Sequence, residues 1–223
     1  MAERTPTIHV FFDYVCPYAY IGKHRADALQ REYDVEINYL PWEIHPNAIP
    51  EGREIDHEPP EASRDYLQRL ADEVDTDIEG PDVSINANLA LRGALYARDQ
   101  GDDVFQAYHS EAFEAVWSRG ENLGDRDVLA DVVDEAGLEV ETFFEQIDHH
   151  SYQWRLDRID DVAQNDVGVT RVPTFVFGDQ RIVGNDPFEP SLKRPLEAHL
   201  ERRKTLGEGT STLEADLGIG RLG

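Results

Sequence analysis

A second cysteine is missing: Cys16 is the only one in 223 residues. This excludes a disulfide closed within the chain and agrees with a reducing compartment. No apolar run approaches the roughly 20 residues that a helix needs to cross a bilayer. Met1-Ala2-Glu3-Arg4-Thr5-Pro6 lacks the apolar stretch of a signal peptide. The expectation is a cytoplasmic protein with no membrane partner. Glycine-rich phosphate loops of the P-loop or dinucleotide type are absent too. Lysine is scarce, at three residues (Lys23, Lys193 and Lys204), and 21 basic residues face 46 acidic ones for a net charge of −25. Nucleic acid is disfavoured as a partner, because neutralising phosphates needs a basic patch.

The acids are scattered along the chain, so they do not read as an interaction tail. Charge of this size opposes compaction by self-repulsion unless salt screens it. At about 1 M salt the Debye length shrinks to about 3 Å. The composition therefore reads as a halophilic adaptation to a salt-rich cytoplasm. The eight histidines show no ligand spacing: His149 and His150 point to different faces of a helix, and His45 and His57 lie in a loop. No metal site is expected.

What is present centres on Cys16. Ile8-His9-Val10-Phe11-Phe12 reads as a buried strand, and residues 17–33 read as a helix with Pro17 at its first position. Cys16 thus falls at a helix N-terminus, where unpaired N–H groups and the helix dipole favour the thiolate. Ala19 stands where a dithiol enzyme carries its resolving cysteine, so a second sulfur must come from outside. The plainer alternative is that a lone cysteine is a small buried hydrophobe. Asp13, three residues earlier, would oppose the thiolate by charge yet could accept its proton; capping of the loop is the other reading. Tyr18 and Tyr20 are candidates for the pocket mouth, with Tyr20 better suited to the core. Trp42, Trp117 and Trp154 are expected to pack in the core or the insertion.

Residues 35–40 alternate apolar and polar side chains and read as a second strand, giving a β-α-β unit and a parallel pair. Residues 44–60 hold four prolines and form a loop. From 61 to 166 the spacing predicts helices (61–74, 86–100, 103–118, 125–136, 140–149 and 151–166) and no convincing strand. Strands return at 174–177 and 181–183 around a three-residue turn, Gly178-Asp179-Gln180, followed by a helix over 188–203. The expected architecture is α/β. Segments 1–60 and 167–205 form one small mixed sheet with helices on its faces, interrupted by an all-helical insertion over 61–166 and followed by a flexible tail over 206–223. Pro173 opens a strand, where its missing N–H does no harm.

A strand, Cys16-Pro17 at a helix start, and Val172-Pro173-Thr174 leading into a hairpin and final helix together resemble the thioredoxin fold with a helical insertion, in the DsbA-like superfamily. The resemblance spans about residues 7 to 203. Phe12-Asp13-Tyr14-Val15-Cys16-Pro17 with Tyr20-Ile21-Gly22 is similar to the FrnE-type oxidoreductases, whose motif is Asp-x-x-Cys-Pro-Trp-Cys; Ala19 departs from it. Pro17-Tyr18-Ala19-Tyr20 resembles instead the 2-hydroxychromene-2-carboxylate isomerases and kappa-class glutathione transferases, in which a serine stands where Cys16 stands. Asn88, Arg92-Gly93-Ala94-Leu95 and Gly184-Asn185-Asp186 are loosely similar to that branch. The resemblance implies a cis Val172-Pro173 bond facing the cysteine, with the Val172 backbone pairing with an extended thiol substrate. It also implies that Asp186 holds the γ-glutamyl end of glutathione.

The expected activity is a DsbA/FrnE-like thiol-disulfide oxidoreductase working with one cysteine, Cys16, and an external thiol. Asp13, Pro17, Tyr18 and Ala19 complete its motif, and Val172, Pro173 and Asp186 bind substrate. No tightly bound cofactor is expected; a low-molecular-weight thiol is the co-substrate, and the partner is a small thiol or a protein disulfide. A homodimer stays open. One alternative is a glutathione-like-thiol-dependent isomerase or transferase, in which Cys16 orients a bound thiol and never cycles redox state. Another is a non-catalytic thioredoxin-fold binding module with an unreactive Cys16.

Overall fold

The computed structural model describes residues 5–55 and 59–206. In chain order its elements are β1 (Thr7–Phe12), α1 (Pro17–Glu32), β2 (Glu36–Pro41), β3 (Arg53–Glu54), α2 (Glu61–Asp72), β4 (Val83–Ser84), α3 (Asn88–Gln100), α4 (Asp102–Trp117), α5 (Arg126–Glu135), α6 (Val140–Ile147), α7 (His150–Asp161), β5 (Thr174–Phe177), β6 (Gln180–Val183) and α8 (Arg194–Leu206). Single π-helical stretches, Val162–Val167 and Glu189–Lys193, extend α7 and precede α8.

β1 is buried at every position after Thr7 because both of its sides are occupied. It pairs in parallel with β2, Val10 opposite Tyr39, and antiparallel with β5, Val10 opposite Phe175. The sheet order is β2-β1-β5-β6. The strand that opens the chain is therefore completed by a strand that arrives 160 residues later, and the helices between them cover the faces that neither half could bury alone. One aromatic cluster joins the sheet to the insertion: Phe12, Tyr14 and Tyr39 meet His109 and Phe113 of α4 at ring-centroid distances of 4.3–6.0 Å.

Several local expectations change. The β5–β6 turn has two residues, because Gln180 already pairs with Phe177 and Gly178 takes a φ of 58° that lets the chain reverse at once. Val83–Ser84 forms a short antiparallel ladder with Arg53–Glu54 inside the region read as loop and helix only. Two-residue strands leave no alternating pattern to detect. Trp154 is 66% exposed instead of packed: α7 buries Tyr152, Leu156 and Ile159, and Trp154 lies on the opposite face. Trp117, by contrast, donates its indole N–H to the Tyr14 carbonyl at 2.8 Å. Of the tail expected over 206–223, only Leu206 is described, as the last residue of α8; the rest, like His57, lies outside the described residues.

Candidate active site

β1 ends directly before the loop that carries Asp13 and Cys16. Cys16 is the N-cap of α1, with extended φ and ψ of −101° and 115°. Its carbonyl accepts the Ala19 and Tyr20 amides at 3.0 and 3.2 Å, and its own N–H donates to the Asp13 carbonyl at 3.2 Å. Pro17, with no N–H to satisfy, occupies the first helical position. Because β5 runs antiparallel to β1, with Phe11 opposite Thr174, the start of β5 lies beside the end of β1. The residues just before β5 are Val172 and Pro173, joined by a cis peptide bond. Cys16 Sγ donates to the Val172 carbonyl oxygen at 3.3 Å.

Pro173 is held in a narrow slot. A Cβ placed on Gly22 of α1 would lie 2.8 Å from its ring, and one on Gly184, after β6, would lie 2.9 Å from it. Both positions demand glycine because the proline ring, joined at Gly184 by the Phe175 ring at 2.7 Å, fills the space that a side chain would need. Gly184 also donates its N–H to the Pro173 carbonyl at 2.8 Å.

Burial works against ionisation of the sulfur. Cys16 is only 8% exposed, and burial pushes its thiol up to about 12. The Ala19 and Tyr18 amides at the helix start act in the opposite direction, while the nearby Asp13 carboxylate raises the thiol further. The expected thiolate therefore has burial working against it. Desolvation disfavours the charged form more strongly than a helix N-terminus favours it.

Asp13 is fully buried and serves the loop. Oδ1 accepts the Val15 amide at 3.2 Å and Oδ2 the Ile44 amide at 2.8 Å. Burial raises this carboxyl to about 7 against those two bonds, and the Glu43 charge adds to the rise. Glu43 in turn accepts from Asn88 Nδ2 at 3.0 Å, while its own amide donates to Asp160 Oδ1 at 3.2 Å. Asp160 is likewise raised to about 7, chiefly by burial, with Glu43, Asp157 and Asp13 contributing. Residues 13, 43 and 160 share no sequence pattern, and only the fold brings these carboxyl groups together.

Tyr18 is half-buried, and burial is the main cause that raises its phenol. Tyr20 lies in the core, its hydroxyl 3.0 Å from Ser118 Oγ and accepting from Thr76 Oγ1 at 3.3 Å. Ala19 is buried beneath the turn. Asp186 is exposed and lies two residues beyond Gly184, which places its loop against Pro173. Three residues that sequence reasoning missed hold this loop. Arg25 donates to the Gly184 and Asp186 carbonyls, Tyr66 donates to the Asn185 carbonyl, and Glu73 accepts the Phe188 amide. Among the described residues no group of three or more His, Cys, Asp or Glu could hold a metal ion, and no helix is long and apolar enough to cross a membrane.

A family model of the DSBA-like thioredoxin domain matches residues 7–194. The uncharacterised protein YwbO of Bacillus subtilis is 28% identical over 198 residues, covering 84% of this chain and 96% of that protein. A 2-hydroxychromene-2-carboxylate isomerase of Sphingobium xenophagum is 26% identical over 191 residues, covering 83% of this chain and 95% of the isomerase. Among solved structures, a probable DsbA oxidoreductase from Streptomyces coelicolor superposes with a TM-score of 0.74 at 18% identity, over 88% of this chain and 91% of that one. At that identity the likeness carries the fold alone. It is the α/β thioredoxin fold with a helical insertion that the sequence pattern implies.

Proposed function

The chain belongs to the DSBA-like thioredoxin domain family, and from that membership we propose a thiol-dependent isomerase or transferase in which Cys16 donates its S–H to the sulfur of an external, glutathione-like thiol. The observation that carries this reading is the buried Cys16 S–H directed at the Val172 carbonyl at 3.3 Å, with burial raising the thiol. With burial raising the thiol to about 12, the thiolate is disfavoured at neutral pH. The gain in intrinsic nucleophilicity, a Brønsted slope of about 0.4–0.5, recovers only part of that loss. As an attacking group Cys16 is therefore slow. As a hydrogen-bond donor beside a helix N-terminus it does what a serine hydroxyl would do at the same place.

The residues present fit a small peptide thiol. The Val172 N–H makes no hydrogen bond among the described residues, so it can pair with an extended backbone. Asn185 Oδ1 is buried without a partner and suits an N–H donor, and the exposed Asp186 carboxylate beside it suits a cationic amine. When bound, the thiol supplies a nucleophilic sulfur that adds to and departs from an unsaturated substrate with no net redox change. Cys16 then turns its S–H from Val172 to that sulfur, and the positive end of the α1 dipole favours the negative charge there. Tyr18, half-buried two residues after Cys16, is assigned to the pocket mouth.

A second reading is monothiol disulfide exchange, favoured by the presence of sulfur at position 16 under two helix amides that lower its pKa. Cys16 thiolate attacks a disulfide, forming a mixed disulfide and expelling one thiolate, which takes up the proton Cys16 lost. A second small thiol then attacks the mixed disulfide, releasing Cys16 and leaving as the new disulfide.

Cys16→Ser separates the two. Glutathione-dependent turnover of a chromene-type substrate should survive in Cys16→Ser and fall in Cys16→Ala, because only serine keeps a donor. Reduction of a small disulfide should vanish in both. If serine fails as badly as alanine in the isomerisation, the donor role is wrong.

A further inference from the structure

Arg25 is among the largest fully buried side chains, and the chemistry above leaves it unused. It lies on α1 three residues after Gly22, so the two share a helix face. Its Nη1 donates to the Gly184 carbonyl at 2.7 Å and to the Asp186 carbonyl at 2.9 Å. Its Nη2 pairs with Glu73 Oε2 at 3.1 Å. The same Glu73 oxygen accepts the Phe188 amide at 2.8 Å, and the guanidinium lies 5.6 Å from the Phe188 ring centre. Tyr66, from the helix that Glu73 follows, donates to the Asn185 carbonyl at 2.9 Å. The side chains that hold the 184–188 loop thus come from α1 and from the first helix of the insertion with its C-cap.

The loop in turn fixes the site. Starting at the sulfur, Cys16 bonds to the Val172 carbonyl, the Pro173 carbonyl accepts from the Gly184 amide, and the Gly184 carbonyl accepts from Arg25, which is bound to Glu73. A fully buried cation with a half-exposed partner is costly unless its geometry is used, and removing one partner leaves an uncompensated charge inside. We infer that the Arg25–Glu73 pair is a latch that sets the position of the Pro173 and 184–188 wall against Cys16, so that the helical insertion controls thiol binding through Glu73 and Tyr66. These are positioning residues; none of them touches the sulfur. The link to thiol binding rests on the function proposed above, whereas the latch itself does not.

The test uses the full chain in high salt with glutathione as the probe. Glu73 is half-exposed, so Glu73→Ala should fold, and Arg25→Lys keeps the charge while offering one nitrogen to three acceptors. In Glu73→Ala, amide hydrogen exchange across 184–188 should quicken about tenfold or more while β1 and β5 change little, since local opening need not follow global unfolding. In the same variant KM for glutathione should rise about tenfold with a smaller loss in kcat, the signature of lost binding geometry. Arg25→Lys should fall between Glu73→Ala and wild type on both measures. Unchanged exchange in 184–188, or exchange that quickens equally in β1 and β5, overturns the latch whatever the activity. Looser exchange with an unaltered KM overturns its role in thiol binding. A wild-type protein that turns over nothing with glutathione sinks the proposed function, and exchange still decides the latch.

Discussion

Gly22 of α1 and Pro173 before β5 pack so closely that a Cβ on Gly22 would sit 2.8 Å from the proline ring, with the Phe175 ring next at 3.7 Å. This contact sets the distance between the helix that carries Cys16 and the turn that carries Val172. Gly22→Ala must push one of them aside, and overpacking of this kind costs about 1–3 kcal/mol. We expect a loss of that order in denaturant unfolding, together with faster alkylation of Cys16 as its bond to Val172 lengthens. Unchanged stability and unchanged alkylation would show that the slot is not tight.

Asp13 gives the protein a pH dependence of definite sign. Its carboxyl stands near 3.8 in the unfolded chain and at about 7 in the folded one. Between those values the folded state holds a proton that the unfolded state has released, so stability falls as pH rises from about 4 to about 7. Asp160, raised to about 7 as well, adds a parallel slope. Asp13→Asn should flatten this decline without abolishing it. The amide would also leave one of the Val15 and Ile44 N–H groups without an acceptor, lowering stability by about 1–3 kcal/mol near pH 4. Urea midpoints measured from pH 4 to 8 at constant salt check both effects; an equal slope in the two proteins refutes the assignment to Asp13.

The net charge of −25 supports the proposal that the protein is adapted to salt. Raising salt from about 0.1 M to about 1 M shortens the Debye length from about 10 to about 3 Å. The thermal midpoint should climb over that range, and the chain should expand or unfold at the low end. Surface ion pairs such as Arg126–Asp148 and Arg158–Asp161 are too exposed to offset that gain, since each contributes about 0–1 kcal/mol and weakens in salt. A midpoint that is flat or falls with salt would remove the halophilic reading.

Local signals carried much of the fold and part of the site. Pro17 after Cys16 marks a helix start, and the β1 and β5 segments are too apolar to lie outside a sheet, while the meeting of Val172-Pro173-Thr174 with the cysteine was implied only by the resemblance to the thioredoxin fold. The two-residue strands β3 and β4 and the exposed Trp154 escaped detection, because pairing over two residues leaves no period and a tryptophan does not announce which helix face it occupies. Glu43, Asp160, Arg25, Tyr66 and Glu73 were invisible as site residues for a similar reason: each owes its role to neighbours far away in the chain.

From its residues alone, this chain determined that one sulfur would stand at a helix N-terminus with no second sulfur to close on, since both facts are local and chemical. Tertiary structure decided which way the pKa of that sulfur moves, because desolvation depends on everything packed around it and not on the helix that presents it. It also decided what the sulfur faces. The Val172 carbonyl comes within 3.3 Å only because β1 and β5 pair across the whole insertion.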